Sequence, residues 1–114
     1  MDAQELTNRY NAGERDFSSA YLVGAEMHGM ILREANLSGA NLNKADLSGS
    51  DLSRACLDEA HLEEADLRGA NLEGAFLYGA CLAGANLEGA RLEGARLYAA
   101  DLSRATLPDG TKHE

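Results

Sequence analysis

A five-residue unit repeats through residues 35–107 without one insertion or deletion, from ANLSG-ANLNK-ADLSG-SDLSR onward to ATLPD, and this period constrains the fold more than any other feature. Take the central large apolar residue of each unit as position i. The series then starts at Phe17 and recurs every fifth residue to Leu107, which makes nineteen units. Position i is Leu in seventeen of them, the exceptions being Phe17 and Met27. Position i−2 is Ala in sixteen, the exceptions being Arg15, Met30 and Ser50.

A period of five is neither the roughly 3.6 of a helix nor the 2 of a strand. It resolves as two plus three: in extended chain i−2 and i point to one side, which leaves i−1, i+1 and i+2 outside. The chain must turn through about a right angle before the next Ala, so four units close a square coil of about 20 residues. Ten of the 12 glycines lie at i+2, where a corner needing positive φ would place them. Helical-hairpin solenoids run about 33–47 residues per repeat and would not place Gly at every fifth position. The pattern predicts an all-β solenoid, a quadrilateral β-helix of about 4.75 coils over residues 15–109. At ~4.8 Å per stacked coil the rod would be about 23 Å long before its caps.

Residues 1–14 stand outside the repeat. Asp2 can cap a helix, Glu5 sits three residues later as in a capping box, Leu6 and Tyr10 share one face, and Gly13 can end the helix in a left-handed conformation. These signals predict a short N-terminal capping α-helix laid over the open end of the stack, since about two turns alone would be marginal in water. At the other end Pro108 removes a ladder donor, Pro108-Asp109-Gly110 is a turn signal, and residues 110–114 form a short polar tail.

Composition supports a stack of small interlocked units over an ordinary mixed core, with 5% aromatics, no Trp and one Pro. A net charge of −9 disfavours direct binding to nucleic acid or to anionic lipid and favours a basic protein surface. No signal peptide or membrane-spanning run is present, and two cysteines make no disulfide framework, so a cytoplasmic protein is expected.

Residues 20 apart should stack in columns on the outside. One candidate interaction surface is acidic: Asp58, Glu59, Glu63, Glu64 and Asp66 lie within one coil, with Glu73 further round. It reads either as a DNA-like strip for a basic groove or as a solvated face, part of whose charge is paired, as by Lys44 beside Glu64. A second candidate is apolar, with Cys56 and Phe76 stacked at i−1 and Tyr78 and Tyr98 at i+1 of the same face. These could form a partner or self-association patch, or stabilise neighbouring strands as cross-strand pairs do.

A third column, Asn41, His61, Cys81 and Asp101, could offer two or three metal ligands in line where zinc normally takes four in a tetrahedron, so no metal site is expected. Cys56 and Cys81 fall on adjacent faces, both outward, which argues against a disulfide. No nucleophile sits beside a base, the glycines do not form a phosphate loop, and a convex rod offers no pocket. An enzyme and a cofactor are therefore not expected.

Units of the form A(N/D)LxG, such as Ala35-Asn36-Leu37-Ser38-Gly39 and Ala85-Asn86-Leu87-Glu88-Gly89, resemble those of the pentapeptide repeat proteins over residues 15–109. The N-terminal helix and the closing turn are similar to those of short single-domain bacterial members. The resemblance implies a right-handed quadrilateral β-helix. One branch of the family consists of quinolone-resistance proteins that bind DNA gyrase as mimics of duplex DNA and dimerise through C-terminal helices. This sequence shows neither that helix nor a loop inserted between units. The expected function is a non-enzymatic structural or protein-interaction module, monomeric or weakly dimeric, that presents a rigid acidic rod to a protein partner. The alternative is a DNA-mimic inhibitor of a DNA-binding enzyme such as gyrase.

Overall fold

The structure, a computed structural model, describes all 114 residues. Fifteen parallel bridges, from Asp16 with Asn36 to Asn86 with Thr106, each join residues 20 apart at position i−1. One coil is therefore four units. The four faces are centred on Phe17 (first), Leu22 (second), Met27 (third) and Leu32 (fourth), each continuing at every twentieth residue. The bonding is uniform: the N–H of position i donates to the carbonyl of i−1 one coil on, as Leu57 does to Phe76 at 2.7 Å.

The inward assignment holds. Every position-i side chain from Phe17 to Leu87 is 0–2% exposed, and the position i−2 alanines from Ala35 to Ala90 are buried with them. The exceptions to the pattern have physical reasons. Ser50 donates its hydroxyl to the Leu47 carbonyl at 2.7 Å, so a buried polar group stands in for Ala without an unmade hydrogen bond. Arg15 lies over the Tyr10 ring at 3.7 Å, and Met30 accepts a weak contact from Thr7 at 3.8 Å, so both meet the N-terminal helix.

That helix, α1 (Ala3–Asn11), buries Leu6 completely against the first coil. Only half of the expected capping box forms. Asp2 Oδ1 accepts the Glu5 N–H at 2.8 Å, but the Glu5 carboxylate turns to Arg9, 3.6 Å away, instead of back to the Asp2 N–H. At the C-terminus the Gly13 N–H donates to Tyr10 and the Glu14 N–H to Arg9, both at 3.0 Å, with Gly13 at φ +100°, which is a Schellman motif. The Tyr10 hydroxyl then fastens the helix to the Arg33 carbonyl at 2.8 Å. With this cap and the tail the long axis reaches 39 Å.

Each corner has a hydrogen bond from the N–H of i+3 to the carbonyl of i, and a positive φ at i+2 up to Arg104, which defines type II turns. Glycine is not the only occupant. Ser19, Glu34, Lys44, Arg54, Glu59, Glu64, Ala99 and Arg104 hold φ of 58–63° at the same position. Such a residue pays a left-handed penalty that exceeds the extra chain entropy Gly loses on folding. Glu59→Gly is expected to raise stability by about 0.5–1 kcal/mol in urea unfolding; a lower midpoint would contradict the strain. The last corner differs: Asp109 is not left-handed, and Gly110 takes φ +87° one residue later. The tail does not simply trail off, since Lys112 bridges Thr106 antiparallel.

Candidate interaction surface

The asparagines and aspartates of the A(N/D)LxG unit shape the outer surface. All nine at position i−1 accept the backbone N–H of i+1, at 2.9–3.1 Å, closing an Asx turn along each edge. At two positions where the i−1 residue does not accept, the coil before supplies the acceptor. His61 leaves the Glu63 N–H to Asn43 Oδ1 at 2.9 Å, and Phe76 leaves the Tyr78 N–H to Asp58 Oδ1 at 2.9 Å.

The serines two residues after these aspartates donate hydroxyls to the same oxygens, as Ser48 does to Asp46 at 2.6 Å. The Ser18, Ser48, Ser103 and Thr111 hydroxyls, each with its own N–H, hold Asp16, Asp46, Asp101 and Asp109 below the usual carboxylate range. Arg68 does this for Asp66. Burial pushes Asp51 up, but the Ser53 hydroxyl and N–H outweigh it and its pKa is also lowered. Unfolded aspartate titrates near ~3.9. The stability these groups add is therefore complete above about pH 5 and is lost as pH falls through their lowered folded values. Calorimetry should give a flat melting temperature from about pH 8 to 5 and a fall below about pH 4; a rise between pH 5 and 3 would contradict it.

The acidic residues wrap the rod instead of forming a column. Asp58 and Glu59 lie on the first face and its corner, Glu63 and Glu64 on the second, Asp66 on the third and Glu73 on the fourth. Most have partners within the chain. Arg68 binds both oxygens of Asp66, at 2.6 and 2.8 Å. Glu73 lies 3.1 Å from Arg91, Glu64 3.9 Å from Lys44, and Glu63 3.9 Å from His61. Asp58 serves the Tyr78 backbone. Asp58→Ala is expected to cost about 1 kcal/mol and Asp58→Asn almost nothing, because the amide oxygen accepts the same N–H; equal losses in both variants would show that the charge matters instead.

The aromatic residues do come together. Tyr78 and Tyr98 stack on the first face with ring centroids 5.7 Å apart and planes 13° apart. They remain 50% and 78% exposed. Beside them Phe76 lies between Cys56 and Arg96 in the i−1 ladder, and the Arg96 guanidinium sits over its ring at 4.9 Å. The sequence reading missed a second apolar patch, where Tyr21 and Val23, 66% and 38% exposed, line a shallow notch with Met1 and Ala3 beside α1. Its signal was three consecutive large apolar residues at 21–23, two of them in outward positions.

His61, Cys81 and Asp101 are ladder neighbours, as the 20-residue spacing requires. Burial pushes the Cys81 thiol up, away from the thiolate that metal binding and nucleophilic attack need. The Cys81 Sγ is 4.0 Å from Asp101, no cluster of three metal-ligating side chains forms, and Cys56 and Cys81 are both free thiols. No helix is long and apolar enough to cross a membrane.

Comparison with known proteins accords with this geometry. The family described as Pentapeptide repeats (8 copies) matches residues 16–49, 45–82 and 77–109. Among solved structures, the pentapeptide repeat protein Rfr23 of the cyanobacterium Cyanothece 51142 is 38% identical with a TM-score of 0.75, over 75% of this chain and 58% of that one. This chain thus spans less than two thirds of that relative. A pentapeptide repeat protein of the Arabidopsis thaliana thylakoid lumen is 28% identical with a TM-score of 0.51, over 87% of this chain and 73% of that one. QnrB1, a plasmid-mediated fluoroquinolone resistance protein, is 25% identical with a TM-score of 0.56, over 81% of this chain and 60% of that one. No relative emerged among curated protein sequences. A right-handed quadrilateral β-helix with a 20-residue coil, Asx-closed edges and a helical cap places the chain in the pentapeptide repeat family.

Proposed function

We propose that the protein is a non-enzymatic interaction module that docks a protein partner on the outside of a preformed rod, chiefly through the ridge of Phe76, Tyr78 and Tyr98. The observation that carries this is the Tyr78 and Tyr98 stack, which spends large apolar area on solvent while being held rigid by the ladder beneath. Rigid, exposed aromatics are the side chains that anchor interfaces at low entropic cost. The carboxylates at 58–73 would form its acidic margin, since most of them are already engaged within the chain.

A second reading, mimicry of DNA to inhibit a DNA-binding enzyme such as gyrase, is favoured by the net charge of −9 and by the similarity to a fluoroquinolone resistance protein. Affinity capture from native cell extract at low and high salt separates the two. An apolar ridge should retain its partner at high salt, whereas a charge mimic should lose a basic, DNA-processing partner as screening shortens the reach of its field. Inhibition of DNA supercoiling by the purified protein would favour the second reading, and loss of all capture at high salt would overturn the first.

A further inference from the structure

The end of the rod away from α1 shows how it holds an added strand. The tail turns back and pairs antiparallel with the third face: Leu107 donates its N–H to Thr111, and His113 donates to Ala105, both at 2.7 Å. Ala105 is fully buried as a result. The same grip, an Ala carbonyl and the N–H of the Leu two residues on, recurs on the other faces of this coil as Ala90 with Leu92, Ala95 with Leu97 and Ala100 with Leu102. There the Leu N–H groups meet no backbone acceptor, and the leucines are only half-buried, whereas Leu72, Leu77 and Leu82 one coil inward are 1% exposed.

A strand edge with unmade hydrogen bonds above apolar side chains is the chemistry of strand addition. The edge of residues 95–99 is set apart from the others by Tyr98, which joins it to the aromatic ridge. We propose that this edge receives an extended segment of a protein partner, added antiparallel as the tail is added to the third face, with its outward side chains against Tyr98. The proposal rests on the reading of the ridge as the docking surface and adds the backbone conformation of what docks there.

Charge permits it. Residues 91–114 hold four Lys and Arg against four Asp and Glu, whereas residues 1–90 hold six against fifteen, so the whole −9 lies away from this end. A second copy fits less well. The tail stands one strand, about 4.8 Å, above the third face and keeps two such ends from meeting flush, while α1 covers the opposite end.

The probe is a blocked heptapeptide, Thr-Val-Glu-Val-Thr-Val-Glu, with a twin N-methylated at each Val. In the tail, residues 111 and 113 make the hydrogen bonds while bridged Lys112 shares the outward side with Thr106. The inward Val residues of the probe would therefore supply its pairing N–H groups, which the twin lacks. Amide hydrogen exchange is read by NMR on the intact chain. The peptide should slow exchange severalfold at Leu97, and the twin should leave it unchanged. Unchanged exchange at Leu97 with saturating peptide would overturn the proposal, as would equal slowing by the twin. Slowing that appears without peptide as protein concentration rises would overturn it in favour of a second copy. The underlying reading fails separately: undiminished partner capture by a Tyr78→Ser, Tyr98→Ser variant would remove the ridge, whatever the peptide does.

Discussion

Replacing Leu67 with arginine should abolish the cooperative melt of the rod. Leu67 is 0% exposed at the middle of the stack, with coils above and below and no carboxylate among the buried residues of the interior to pair a guanidinium. Burying an unpaired charge costs several kcal/mol at least, a large part of the ~5–15 kcal/mol that holds a domain folded. A chain of coils that touch only their neighbours cannot spread the damage, so the stack is cut in two. Leu67→Ala is the graded comparison, expected to cost about 2–5 kcal/mol while the fold survives. Circular dichroism melts decide between these, and a wild-type melting temperature for Leu67→Arg would overturn the inward placement.

The second large effect is expected at the cap. Leu6 is the one buried residue of α1, and the nine-residue helix is too short to persist without docking. Leu6→Asp should release the helix and expose the first coil around Phe17, Leu22 and Met27, at a cost of about 3 kcal/mol. The loss should be local. Amide exchange should quicken at Leu22 and Met27 and much less at Leu57 and Leu62, because fraying enters a solenoid from its open end. Equal acceleration along the whole rod would contradict a cap that guards one end only.

The frame was legible because a strict period writes its own geometry. Ala and Leu two residues apart must share a side, and Gly at i+2 marks the corner. The capping helix was legible from Asp2, Leu6 and Gly13. Its footprint could also have been seen, since Arg15, Phe17, Met27 and Met30 are four of the five departures from the inner pattern and all lie in the first coil. Ser50 is the fifth, and only its hydrogen bond to Leu47 explains it.

Other features depend on register across coils, which periodicity alone does not display. Asp58 looks like one more surface acid until Phe76 is placed above Cys56 and the Tyr78 N–H is found to need an acceptor. The acidic residues read as a strip because they are close in sequence, but with five residues per face closeness in sequence means wrapping around the rod. The left-handed Glu59 and Glu64 were hidden because the corner favours Gly without requiring it. The tail read as merely polar, and the strand it adds to the third face became visible only through the Thr106 and Lys112 bridge.

Under the proposed function the frame is inert and binding would reside in a few outward residues, first among them Tyr78 and Tyr98. The most direct test is partner capture from native extract at physiological salt by the parent, by a Tyr78→Ser, Tyr98→Ser variant and by a Glu63→Gln, Glu64→Gln variant, after their melting temperatures are compared. The ridge variant should lose the partner and the carboxamide variant should keep it. Capture that survives the loss of both tyrosines and disappears with the two carboxylates would contradict the account.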